Sequence, residues 1–199
     1  MRKIFACVFL LVAPLLAQSR FDNGREAAAT ATGPSFEVSL GYVYFSMPLP
    51  SQRVGLSGVD ASALVKVDRY WALKADSTYA RTGNVFDTGY SANVLSFLGG
   101  PVFYPPVFRK AGIFIEGLVG ASRVESAAPV NGASYLQGWV ARPSYAIGGG
   151  VEHSLFSSLG VRVQGDYQHT TFGDSAGAIQ GQNDLRLTTS MFYRFGNRE

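Results

Sequence analysis

An acid, a histidine and a serine are the side chains from which a hydrolytic triad is assembled, and Glu152, His153 and Ser154 supply all three in succession. Succession is the wrong spacing. On an extended chain neighbouring side chains point to opposite faces, so His153 is directed away from both Glu152 and Ser154. The other histidine, His169, has Thr171 two positions on, where a serine is needed. Both histidines are therefore expected at the rim of a sheet, at an interface, and no enzymatic activity is expected. Two histidines and one cysteine, with no clustered acid ligands, give no ligand set for a transition metal, and no cofactor is expected. Gly148, Gly149 and Gly150 lack the Lys-Ser/Thr pair and the helix of a phosphate loop. Close strand packing, or room for inward side chains, is the expected use of bare backbone there.

The remaining chemistry is ionic. Glu37, Lys66, Asp68, Lys74, Asp76, Glu116, Glu152, Arg162, Asp166, Arg186 and Arg194 fall in or beside extended segments, mostly between apolar neighbours. A narrow interior tolerates such charges only in pairs, because unpaired charge in low dielectric loses several kcal/mol of hydration. A symmetric hairpin around Ser157 sets Glu152 opposite Arg162. A turn around Tyr70 sets Asp68 diagonal to Lys74 and Lys66 diagonal to Asp76. Glu37, near the start of the first strand, meets Arg194, near the end of the last, if the sheet closes on itself. The expected role of this set is an ion-pair core that holds the sheet together; a gated path for small ions is the other reading.

The elements that would position these residues have a period of two. Phe36, Val38, Leu40, Tyr42 and Tyr44 alternate with Glu37, Ser39, Gly41 and Val43, the mark of a strand with one apolar face. Similar alternation runs through 59–68, 71–79, 113–122, 143–153, 161–168 and 185–196, whereas 90–104 is apolar at both parities. Eight strands result, with no segment of helical period between them. The connections 46–58, 82–89, 123–142 and 171–183 are long and rich in Gly, Ser, Asn and Asp; those near 68–70, 105–110 and 154–158 are short. Short turns on one side and long loops on the other are the plan of transmembrane barrels, with turns periplasmic and loops outside. An even strand number puts both termini on the periplasmic side.

Alternation alone also fits a soluble eight-stranded carrier, which turns its apolar face inward around a ligand. Strands of ten or more residues match the roughly 9–11 that a tilted span of hydrocarbon needs. Aromatics gather toward strand ends, among them Tyr42, Trp71, Tyr79, Tyr145, Tyr167, Tyr193 and Phe195, as interfacial belts require. The polar face carries ions of both signs in mid-strand, where a solvated exterior favours long Lys and Glu. The apolar face is therefore expected to meet lipid. A barrel of eight strands is just wide enough for its own side chains to fill it, so no large pore is expected.

Ahead of the strands, Arg2 and Lys3 precede an apolar run from Ile4 to Leu16, with small residues at Ala17 and Ser19. Residues 1–19 read as a secretory signal, cleaved after Ala17 or Ser19, 20–33 as a short polar leader, and 34–199 as one barrel domain. Cys7 lies inside the apolar run, so it is not the acylated cysteine of a lipoprotein, and the mature chain has no cysteine to form a disulfide. Loss of Arg2 and Lys3 takes the basic count from 17 to 15 against 14 acids, close to +1. No clustered basic patch suits nucleic acid.

The stretch "YAIGGGVEHSLFSSLGVRVQGDYQHTTF", 145–172, followed by "LRLTTSMFYRFG", resembles the small outer-membrane β-barrel family of outer membrane protein A and the opacity proteins. "FLGGPVFYPPVFRKAGIFIEGLVGASR", 97–123, is similar to the middle hairpin of that family. The resemblance covers most of the mature chain and implies an all-β, eight-stranded antiparallel up-and-down transmembrane β-barrel in a bacterial outer membrane, with a structural or surface-interaction role. Members with a peptidoglycan-binding domain continue after the barrel; this chain stops three residues after Gly196, so no cell-wall tether is expected. Expected partners are outer-membrane lipid and, through the C-terminal strand, the barrel-assembly machinery, with the protein monomeric. An extracellular partner would meet the long loops, where Tyr135 and Trp139 are candidate contacts unless Trp139 anchors at lipid headgroups. Alternative functions are an outer-membrane lipid hydrolase, as in the barrel deacylases of lipid A, and a soluble barrel carrying an apolar ligand.

Overall fold

The computed structural model describes residues 35–48, 53–85, 90–106, 112–126, 128–130, 133–135, 140–173 and 179–195. The expected signal and leader, and Trp139, lie outside the described residues. The strands are β1 (Phe36–Pro48), β2 (Arg53–Lys66), β3 (Trp71–Val85), β4 (Tyr90–Phe103), β5 (Ile113–Ser126), the short β6 (Ala128–Val130) and β7 (Ala133–Tyr135), β8 (Val140–Ser154), β9 (Leu159–Gly173) and β10 (Ile179–Phe195). Eight of them form a closed antiparallel barrel in the order β1-β10-β9-β8-β5-β4-β3-β2, and β6 pairs with β7 in a separate two-stranded sheet. Among the described residues no helix is long and apolar enough to cross a membrane.

The pairing fixes how steeply the strands lean. Followed across the sheet, Phe36 leads to Val65, Leu73 and Pro101, then in unchanged register to Gly117, and on to Ile147, Tyr167 and Leu185. Leu185 returns to β1 at Ser46, ten residues beyond the start. Such a stagger requires strands tilted by roughly 35–45°, and eight of them enclose only enough space for side chains.

Three turns lie at the short-turn end. At 67–70 the N–H groups of Val67 and Asp68 donate to the Trp71 carbonyl at 2.9 and 3.2 Å. At 155–158 the N–H groups of Leu155 and Phe156 donate to the Leu159 carbonyl at 2.9 Å each. Before β5, Gly112 adopts φ 64°, a left-handed conformation at ease only for glycine, and its carbonyl accepts from Glu152 N–H at 2.9 Å.

Side chains alternate as the period of two demands. Leu40, Val119, Ile147 and Met191 stand on the outer wall, 52–68 % exposed, while Glu37, Asp76, Arg162 and Arg186 point inward at 0–4 %. The long-loop end departs from the sequence expectation. Of the stretches expected as loops, 46–48, 53–58, 171–173 and 179–183 are strand, while 49–52 and 174–178 lie outside the described residues. The reason is an inversion of polarity. From about Val43 onward on β1, and before Val59 on β2, Phe45, Met47, Val54 and Leu56 point inward, and Ser46, Arg53, Gly55 and Ser57 point outward. Read for an apolar outer face, the same pairing looks like a break in the strand.

Candidate functional site

The lumen is layered along the barrel axis. Nearest the short turns, Glu37 and Arg194 are register partners on the strands that close the barrel, and Arg194 Nε donates to Glu37 Oε1 at 2.7 Å. Arg162 reaches across, donating from Nη2 to Glu37 Oε2 at 2.9 Å and to Glu152 Oε2, on its register partner, at 2.8 Å. Lys66 Nζ lies 3.1 Å from Glu37 Oε1. The Arg162 guanidinium is stacked between Phe114 and Phe192, 5.4 and 5.1 Å from the ring centroids, and the Tyr104 hydroxyl donates to Glu152 Oε2 at 3.4 Å. The side chains of Lys66 and Arg194 are 25 % and 22 % exposed, so this layer opens at the short-turn mouth.

The middle layer is closed. Arg186 Nη1 donates to Asp76 Oδ1 at 2.6 Å and its Nε to Asp166 Oδ2 at 2.9 Å. Lys74 Nζ donates to Glu116 Oε2 at 3.1 Å and to Gln164 Oε1 at 3.0 Å, and lies 3.4 Å from Asp76 Oδ2. Among the described residues two cations, Lys74 and Arg186, thus face four carboxylates, Asp60, Asp76, Glu116 and Asp166, each at most 4 % exposed. Thr78 Oγ1 lies 2.9 Å from Asp60 Oδ2 and 3.1 Å from Asp76 Oδ1, and accepts from Arg186 Nη1 at 3.1 Å. Its single hydrogen serves one carboxylate at a time. Among the described residues no group of three or more His, Cys, Asp or Glu is placed to hold a metal. The glycine run makes room here: a side chain at Gly148 would strike Asp166, and one at Gly150 would strike Gln164.

Above the ions, the lumen divides. On β4, β5, β8 and β9 the Gln168 amide nitrogen lies 3.2, 3.0 and 3.2 Å from the Ser96, Ser122 and Ser144 hydroxyls, its two hydrogens serving two of them at a time, and Ser144 contacts Thr170 at 2.9 Å. On β1 to β4 the filling is apolar, with Val43, Phe45, Met47, Val54, Leu56, Ala80, Ala92 and Val94 packed together.

Ten of the eleven charges singled out in the sequence lie in the first two layers; Asp68 does not. It sits in the exposed turn, where its Oδ1 accepts from Tyr70 N–H at 2.6 Å and Trp71 N–H at 2.8 Å, and these bonds hold its carboxyl below the usual aspartate value. The cause is register. Lys66 pairs with Ala72 and Leu64 with Lys74, two residues away from a turn symmetric about Tyr70. The Asp68–Lys74 and Lys66–Asp76 diagonals are thereby replaced by Lys74 with Glu116 and Lys66 with Glu37. Asp60, Thr78, Gln164 and Gln168 belong to the network and were not singled out by sequence; inward parity was the available signal for each. His169 is on the outer wall, stacked on Tyr145 at 5.0 Å and bonded to Asn183 Oδ1 at 2.5 Å. His153 pairs in register with Val161 near the short turn, and Tyr135 ends β7.

This architecture is that of the small eight-stranded outer-membrane barrels. Among solved structures, the chain is similar to the attachment invasion locus protein Ail of Yersinia pestis, determined in complex with the heparin analogue sucrose octasulfate. The two share 16 % identity over 82 % of this chain and 100 % of that one, with a TM-score of 0.58. Neisserial surface protein A is similar at 11 % identity, 82 % and 99 % coverage and TM-score 0.60. The outer membrane protein OprG of Pseudomonas aeruginosa gives 10 % identity, 83 % and 98 % coverage and TM-score 0.51. Neither a family model nor a curated protein matches the sequence. At these identities the likeness is one of fold.

Proposed function

We propose that this chain is an integral protein of a bacterial outer membrane, monomeric, with a structural and surface-interaction role and a lumen sealed by ion pairs. One observation carries the reading: a closed, tilted sheet presents an apolar outer wall around an interior of ion-paired charge. Water penalises that distribution on both faces, and a bilayer rewards it, since a closed barrel leaves no backbone group unpaired in hydrocarbon. The short turns and both termini face the periplasm, residues 1–19 being a signal removed on export and 20–33 a short polar leader. The C-terminal strand β10, which closes the sheet against β1, is the segment offered to the barrel-assembly machinery. Recognition falls to the long-loop end, including the segment that carries Tyr135 and Trp139. The similar folds of proteins named for attachment and for the cell surface support that placement.

The test is fractionation and mobility. The protein should sediment with outer membranes, run faster unboiled than boiled in mild detergent, and give no large steady conductance in planar bilayers. Partition into water without detergent would return the soluble-carrier reading, and a large open-channel current would remove the sealed lumen. Replacing 127–139 by a short Gly-Ser linker should leave the mobility shift intact and abolish any surface binding that this segment supports.

A further inference from the structure

Toward the long-loop end the barrel divides into hairpins, and at three seams among the described residues the ladder stops before its strands do. The last pairs are Ser46 with Leu185 between β1 and β10, Ser144 with Thr170 between β8 and β9, and Ser57 with Arg81 between β2 and β3. The backbone groups of successive residues on a strand point to opposite neighbours. Lys66 N–H donates to the Ser35 carbonyl beside β1, so even-numbered residues of β2 bond toward β1 and odd-numbered ones toward β3. Their partners on β1 are odd-numbered, which leaves the even-numbered residues of β1 for β10. Glu152 N–H donates to the Gly112 carbonyl beside β5, so odd-numbered residues of β8 bond toward β9.

At two of the three seams the next residue due to bond is a proline, Pro48 on β1 and Pro143 on β8. Neither has an N–H to donate, which accounts for each stop. The β2 seam has no such guard. Its next residues are Gly55 and then Arg53, each with an N–H and a carbonyl, and β3 leaves them at the bulge between Thr82 and Val85. A side chain built at Gly83, which continued register would set opposite Gly55, meets nothing within 4 Å. Sheets commonly blunt a bare edge with proline or charge, because such an edge templates another strand. Here the edge is intact and its two faces differ. Gly55 and Ser57 stand on the outer face with Arg81 across the seam, while the Arg53 guanidinium is turned toward Ser46 on β1. Val54 and Leu56 are on the inner face, in the packing that holds Phe45 and Ala80.

We propose that the β2 edge from Arg53 to Leu56 docks an extended protein segment of alternating acidic and apolar residues, added as a strand on the long-loop side. In antiparallel pairing the residues opposite Arg53 and Gly55 bond to them and share their outer face, with Arg81 next along the same line, so these are the acidic ones. The residues between them turn inward beside Val54 and Leu56, so these are apolar. The site deepens the surface-interaction reading given above and rests on it. The probe is a fluorescent octapeptide of alternating Glu and Val, blocked at both ends. It is titrated by anisotropy against the full chain refolded into phosphatidylcholine nanodiscs. Binding should saturate, and N-methylation of the glutamates, whose N–H groups face β2, should weaken it about tenfold, whereas N-methylation of the valines should weaken it far less. Gly55→Pro should weaken it about tenfold, Gly55→Ala, which keeps the N–H, should not, and Arg81→Gln should weaken it about threefold. Absence of saturable binding, equal affinity for the peptide methylated at its glutamates, or wild-type affinity in Gly55→Pro overturns the proposal. So does equal loss in Gly55→Pro and Gly55→Ala, or equal binding of a Lys-Val peptide. The boiling shift shows that each variant is folded. Its absence in the wild type removes the membrane reading and this site together, whereas a normal shift without peptide binding removes the site alone.

Discussion

Two stretches of the same strands obey opposite rules. Around Leu40 and Ala61 the outer face is apolar and the inner face charged; a few residues on, around Phe45 and Leu56, the inner face is apolar and the outer face carries Ser46, Arg53 and Ser57. The backbone ladder runs through both without interruption, from Phe36 opposite Val65 to Pro48 opposite Arg53. Backbone pairing is therefore indifferent to which face is oily, and the surroundings decide it. The first stretch suits lipid outside, the second suits water outside, and the change of sign along β1 and β2 marks the depth at which one medium gives way to the other.

That contrast can be broken in graded ways. The largest effect belongs to the charged layer. Arg186→Met removes the cation that holds Asp76 and Asp166, and should cost about 4 kcal/mol in urea unfolding of the refolded barrel. Asp60→Asn should cost under about 1 kcal/mol, because Asp60 forms no ion pair among the described residues and its Thr78 partner can bond an amide oxygen equally. In the apolar arc volume matters instead: Phe45→Ala should cost about 3 kcal/mol and Phe45→Leu under about 1.5 kcal/mol in the same assay. On the outer wall the same new charge should separate the two stretches. Leu40→Arg is expected to cost about 2–4 kcal/mol and Ser57→Arg no more than about 1 kcal/mol; equal costs would mean that both positions meet one medium.

The smallest effect lies beyond the barrel wall and depends on pH. Asp68 is bonded in its ionised form by two backbone N–H groups, and its folded-state value is depressed. A depressed carboxylate adds stability above its unfolded value, near pH 4, and loses it as pH falls through the folded value. Wild type should therefore exceed Asp68→Ala in urea midpoint at neutral pH, with the gap closing below about pH 4. A constant gap across that range would show that the turn depends on shape and not on the carboxylate.

The number of strands and their inward and outward faces were legible because a period of two repeats wherever one face is buried. Glu152 and Arg162 were legible as neighbours because the turn between them is short and symmetric. Lys74 and Glu116 were not, since they sit on β3 and β5 and meet across the lumen, where no spacing along the chain carries information. The diagonals around Tyr70 failed on a two-residue change of register, which a sequence with Asp68, Arg69 and Tyr70 all able to occupy the turn does not specify. The strand extensions beyond Tyr44 failed for a different reason: the periodicity was present, but its phase had reversed.

The acid on the first strand has a consequence for how the molecule is completed. Glu37 is neutralised by Lys66 from β2, Arg162 from β9 and Arg194 from β10. Two of those three arrive only when the far end of the polypeptide is delivered. Until then Glu37 has Lys66 alone to answer it, so closing the seam and completing the pairing of the first strand's carboxylate are a single event.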